Sequence, residues 1–269
     1  MQGKPAAALA DCEQALSLAP RNVSVLLRAC TCHERLGAHA EALARLAAAA
    51  ALPDLDAATR AKVAGRQADL QAAVDRARTA ADGLWARLST AADPAAAAAV
   101  AAAAEALPAQ QPSFKAAWHL AAAAAWCAAE EWTKAKQNAS LAEAYGGAAD
   151  KRQARWLAAD ILFAQGDLPA CAALLEEHAA SFDAAAPAAD ARIAVPAAAE
   201  AAARAAAMRE AVAAKERGNA AVKRRALAEA VQAYSAALSA RGAAAPAFAA
   251  TLYQNRASAL QVRPLLVTA

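Results

Sequence analysis

The strongest constraint on this chain is an internal period of 34 residues. Gly3-Lys4-Pro5 aligns with Gly37-Ala38-His39. At the same offset Ala8 meets Ala42, Leu9 meets Leu43, Cys12 meets Leu46, Ala15 meets Ala49 and Leu18 meets Leu52. Pro20 and Pro53 close the two units, one place out of step. A repeat of this length holds two helices and a turn, and stacked neighbours bury what one unit cannot bury alone. Each unit carries a small, a bulky and a small residue at i, i+4 and i+7: Ala8, Cys12, Ala15; Ala42, Leu46, Ala49; and later Ala230, Tyr234, Ala237. That spacing traces one helical stripe. The small residues let paired helices approach, and the larger one fills the groove between them.

Composition points the same way. About 100 of the 269 residues are alanine, far above ordinary usage. Alanine is the best helix former and the weakest apolar residue, and few Val, Ile or aromatic residues remain to build strands. The period and the composition together predict an all-α tetratricopeptide-repeat superhelix of antiparallel helix pairs, with no sheet. The pattern continues at Trp132, Ala135, Ala139 and Ala142 after a turn at Glu130-Glu131. Gly166-Asp167-Leu168 then opens a helix carrying Cys171, Leu175 and His178. The expected organisation is an N-terminal array over 1–183, with a partial first repeat and a degenerate unit at about 77–111. An Ala/Pro-rich linker over 184–206 follows, interrupted by Pro187 and Pro196 and helical after Pro196, and 207–269 begins a second, truncated array.

Several function classes fall away. A net charge of +3 and a pI near 8.7 are too mild for a nucleic-acid partner, and Lys223, Arg224 and Arg225 read as a solvated helix end. The longest apolar stretches, 95–104 and 116–129, fall short of the roughly 20 residues a spanning helix needs, so no membrane role is expected. Met1 is followed by no signal-like segment, which implies a cytoplasmic protein. Cys12, Cys30, Cys32, Cys127 and Cys171 form an odd set without framework spacing, as expected of reduced thiols. Cys30-Thr31-Cys32-His33 places its cysteines two apart, where helical side chains diverge, so no metal and no cofactor is expected. Trp85, Trp118, Trp126, Trp132 and Trp156 fall at core places. His119 and His178 stand apart from any nucleophile, and Asp54, Asp56 and Asp150 read as helix-start residues. No phosphate loop, metal set or nucleophile–base pair supports an enzyme.

The stretch that bears on function is Lys215-Glu216-Arg217-Gly218-Asn219, continued by Leu252-Tyr253-Gln254-Asn255-Arg256. Lys215 and Asn219 are four apart and share a helix face. Asn255 opens the first helix of the following unit, which lies beside that face. One cation and two amides on the inner wall of a groove suit a carboxylate.

This pattern resembles the two-carboxylate clamp of tetratricopeptide co-chaperones, and most closely the tandem-array DnaJ subfamily C proteins with a C-terminal J domain. The resemblance spans most of residues 1–260, but only about the last 45 are specific. It implies that Lys215 and Asn219 are the clamp's first-helix pair and that Asn255 is its second-helix asparagine. It implies a clamp arginine at Arg28 in the N-terminal array, where Ser24 stands in the companion lysine place. The implied partners are acidic C-terminal tails of seventy- and ninety-class heat-shock chaperones. No His-Pro-Asp occurs, and the tail from Gln261 departs from the repeat where a third clamp helix would follow, so the chain reads as a fragment of a longer co-chaperone. The alternative is a generic assembly scaffold whose groove takes an internal helix or extended peptide of another complex.

Overall fold

The computed structural model describes residues 4–111, 114–180, 192–193, 195–240 and 245–261. Among them it has twelve α-helices and no strand. The first are α1 (Pro5–Leu18), α2 (Val23–Arg35), α3 (His39–Ala50), α4 (Ala57–Ser89), α5 (Pro94–Gln110) and α6 (Lys115–Ala128). Then come α7 (Trp132–Tyr145), α8 (Ala148–Ala164), α9 (Leu168–Ala180), α10 (Ala198–Lys223), α11 (Leu227–Ser239) and α12 (Pro246–Gln261). The chain divides into two compact units, Met1–Lys151 and Arg152–Ala269. The architecture is all-α and of the tetratricopeptide-repeat type. Much of the linker stretch 184–206, and the tail 262–269, lie outside the described residues. No described helix is long and apolar enough to cross a membrane.

Local chemistry sets the helix ends. Asn22 caps α2 by accepting from the Val25 N–H at 3.2 Å. Asp56 caps α4 from Thr59 at 2.8 Å, and Asp93 caps α5 from Ala96 at 2.8 Å with Pro94 pre-setting the first turn. Four helix pairs close with one turn geometry. In each, a residue of positive φ follows the first helix: Gly37 (73°), Glu130 (60°), Gly166 (78°) and Arg225 (59°). The next N–H then reaches five residues back: Ala38 to His33, Glu131 to Trp126, Asp167 to Leu162 and Ala226 to Ala221, all at 2.9–3.0 Å. This shared closure repeats the helix pair with a constant geometry. Glu130 and Arg225 carry a Cβ where the backbone is left-handed, which costs more than glycine would. Glu130→Gly and Arg225→Gly are therefore expected to stabilise the chain by roughly 0.5–1 kcal/mol each, read from urea unfolding midpoints.

The stripe residues pack as the period requires. Ala42, Leu46 and Ala49 are fully buried, as are Ala230 and Ala237, with Tyr234 at 2% exposure. In α1, Cys12 is buried, Ala15 is half-buried and Ala8 is exposed, because among the described helices α1 packs chiefly on α2. The middle of the first unit departs from the repeat. α4 runs 33 residues without a break and buries only Val63, Ala77, Ala81 and Leu84. The segment 77–111 thus spans the end of α4 and all of α5. Arg66 on α4 fastens this helix to α2 by donating to Thr31 Oγ1 (2.7 Å) and Glu34 Oε1 (2.9 Å). Of the five tryptophans, Trp118 and Trp126 are core residues, whereas Trp85, Trp132 and Trp156 are half-buried. Trp156 stacks under Arg204, which also covers Phe163 and pairs with Asp160 at 3.0 Å, so a charged clasp holds α10 to α8.

Two histidines are buried in the cores. His33 is held below the ordinary imidazole range by burial and then by the Arg45 guanidinium. His178, against Trp156, is lowered by burial, with Arg152 and Arg155 adding to the effect. Because each folded-state pKa lies below its unfolded value, the unfolded chain binds more protons as pH falls through about 6.5, and stability is lost in that direction. Burial of Asp150 and Asp160 raises their pKa values, which acts with the opposite sign but at lower pH. Thermal unfolding is expected to show a lower Tm at about pH 5.5 than at about pH 7.5, and His33→Phe should flatten that slope.

Candidate functional site

A groove of about 470 Å³ lies within the second unit, between the α8–α9 turn, one face of α10 and the first turn of α12. From α10 come Val212, Lys215, Glu216 and Asn219, residues spaced at three, four and seven along one face. α12 supplies Phe248, and the turn supplies Gln165, Gly166, Asp167 and Pro169. Asp167 caps α9 by accepting from the Ala170 N–H at 3.2 Å. The turn presses hard on α12: a Cβ at Gly166 would stand 3.1 Å from both Ala247 Cβ and the Phe248 nitrogen, at a φ only glycine adopts freely.

The polar wall of the groove is built from Gly218. Its missing Cβ leaves room for the Tyr234 ring of α11, whose Cε1, Cδ1 and Cζ would otherwise lie 2.5, 2.7 and 2.9 Å away. So placed, the Tyr234 hydroxyl donates to Asn219 Oδ1 at 2.8 Å. Burial pushes the Tyr234 pKa up, which keeps the phenol protonated as a donor. Asn255 Nδ2 adds a longer bond to the same oxygen at 3.4 Å. With Oδ1 receiving both donors, the Asn219 NH₂ takes no part in these bonds, and the residue lines the groove. Lys215 Nζ sits 5.1 Å above the centre of the Phe248 ring. Among the described residues no carboxylate lies within ion-pair distance of it.

Lys215, Asn219 and Asn255 are thus brought together on neighbouring first helices of the second unit. The two asparagines are engaged with each other rather than fully free. Arg28 belongs to the first unit. It sits exposed on α2, one turn after Ser24 on the same helix. Tyr234 and Phe248 complete the site and carried no polar or charged signal in the sequence, where Tyr234 served only as the bulky stripe residue.

The other reactive groups have structural surroundings. Cys30 Sγ donates to Glu34 Oε1 at 3.1 Å, and its thiol is pushed up to about 12 by burial and then by that bond. Burial likewise raises Cys171 to about 11. Thiols so far from ionisation make poor nucleophiles and ligands. No group of three His, Cys, Asp or Glu among the described residues could hold a metal. His119 Nδ1 meets Asn138 Oδ1 at 2.9 Å, and Asn138 Nδ2 donates to Glu105 at 2.8 Å, so that histidine belongs to a polar tie between α5, α6 and α7.

A family model described as tetratricopeptide repeat matches residues 1–64, the span of α1 to α3 and the start of α4. No curated protein and no solved structure matches the chain.

Proposed function

We propose that this helical-repeat chain is a protein-binding scaffold without catalytic activity, and that the groove of its second unit captures the carboxylate of a peptide tail. The observation that carries this reading is the Asn219 amide, whose oxygen is occupied by Tyr234 and Asn255 and which lines a groove that also contains Lys215. A cation and oriented amide donors form charge-assisted bonds to a carboxylate that water-exposed side chains would not organise. Lys215, Asn219 and Asn255 are the capturing residues, and Arg28 is a separate carboxylate contact on the first unit. The ligand that the resemblance implies is the acidic C-terminal tail of a seventy- or ninety-class heat-shock chaperone, and the role it implies is that of a cytoplasmic co-chaperone.

The apolar floor formed by Val212, Pro169 and Phe248 favours a second reading, a generic scaffold that takes an internal peptide of another complex. Free and amidated forms of one fluorescent tail peptide separate the two. Under carboxylate capture the free acid binds and the amide does not, and Lys215→Ala weakens the free acid by about 1–3 kcal/mol in fluorescence anisotropy. Equal binding of acid and amide, unaffected by Lys215→Ala, favours the generic scaffold.

A further inference from the structure

We infer that the groove selects a tail carrying one basic residue shortly before its terminal carboxylate, rather than a run of acidic residues. This inference rests on the carboxylate-capture reading, but not on the acidic chaperone tail that the resemblance implies, which it replaces with a different tail. The charges lining the groove are not all positive. Lys215 is the one cation among the described lining residues, while Asp167 and Glu216 bring two carboxylates. Glu216 is next to Lys215 in sequence and turned about 100° from it around α10, within the face that lines the groove. It is exposed, and among the described residues it has no ion-pair partner. Asp167 stands on the opposite wall, on the α8–α9 turn. One of its oxygens is used in capping α9, and the residue remains exposed.

A poly-acidic tail that placed its terminus on Lys215 and Asn219 would carry its remaining carboxylates past Asp167 and Glu216, and like charges at such range repel. A lysine or arginine in that place meets two acceptors instead. Val212, Pro169 and Phe248 also line the groove and offer apolar surface for one aliphatic side chain. The occupant is therefore an extended peptide end with an aliphatic last residue, a free terminal carboxylate and a cation a few residues upstream.

Three labelled hexapeptides with a C-terminal leucine test this on the full chain. The first is a free acid with lysine third from the end, the second has glutamate there, and the third is the lysine peptide as its amide. Fluorescence anisotropy at low salt is expected to give the lysine acid roughly tenfold tighter binding than the glutamate acid, since an exposed attraction replaces a repulsion. Added salt should shrink that ratio. Glu216→Lys, an exposed change, should reverse the preference, and Asp167→Asn, which keeps a capping oxygen, should reduce it. Equal affinity for the lysine and glutamate acids, or a ratio unmoved by Glu216→Lys, overturns the charge selection while leaving carboxylate capture intact. Equal binding of the lysine acid and its amide overturns carboxylate capture itself, and this inference with it.

Discussion

Trp118→Ala is expected to remove about 3–5 kcal/mol of stability, the largest single loss among the substitutions considered. Trp118 lies in the first turn of α6 with no exposed surface, in a helix that also buries Ala116, Leu120 to Ala123, Ala125 and Trp126. Most of the other buried residues of α6 are alanines with no χ angles, which cannot swing into the space an indole leaves. The cavity term should therefore stand nearly in full beside the lost transfer energy. Trp118→Phe should be milder. The indole Nε1 is buried without a hydrogen-bond partner among the described residues, and phenylalanine dispenses with that orphaned donor while keeping most of the apolar bulk. Urea unfolding followed by circular dichroism reads both changes as midpoint shifts. An alanine variant within about 1 kcal/mol of the parent would contradict the burial of this side chain.

The second large effect is at Gly218, where two principles compete. In the interior of α10, alanine should be better than glycine by about 1 kcal/mol. Against that, the new methyl group would stand 2.5–2.9 Å from three atoms of the Tyr234 ring. The ring is 2% exposed and has nowhere to turn. Overpacking of this kind costs typically about 1–3 kcal/mol, so the clash should win, and Gly218→Ala should destabilise. Gly65→Ala and Gly83→Ala supply the contrast. Both glycines are on α4 with open space around the missing Cβ, so only propensity acts, and each should stabilise by about 0.5–1 kcal/mol. Gly218→Ala should also abolish peptide capture, because a displaced Tyr234 ring takes its hydroxyl away from Asn219. Combining it with Tyr234→Leu should restore stability without restoring binding. Recovery of both by the double variant would show that the Tyr234 hydroxyl does not orient the amide.

How much of this was legible in the sequence follows from what a period can encode. Ala42, Leu46 and Ala49 recur at 34 residues from the first unit because each must meet a neighbouring helix, and they are fully buried. The unbroken course of α4 was not legible in that way. Between Pro53 and Pro94 the only breakers are Gly65 and Gly83, and both sit inside the helix at no steric cost. The turn at Glu130 was readable from the register, but its left-handed backbone was not, since no glycine marks it. At the groove, the i, i+4 spacing brought Lys215 and Asn219 to one face, and the adjacency of first helices brought Asn255 beside them. The hydroxyl of Tyr234 escaped notice because the same residue already accounted for packing. Arg28 was read as a contact of the N-terminal array, and it lies in the first unit. The Glu105–Asn138–His119 tie was equally hidden, because its members lie 19 and 33 residues apart on three alanine-rich helices.

Carboxylate capture by Lys215 and the two asparagines is tested most directly by watching their amides. In a ¹⁵N-labelled sample titrated with a tail peptide, the side-chain NH₂ signals of Asn219 and Asn255 should shift with the free acid and stay unmoved with the amide. Lys215→Ala should weaken the response without changing which signals respond. Shifts of equal size for acid and amide, or shifts confined to residues away from Asn219 and Asn255, would contradict the proposed site.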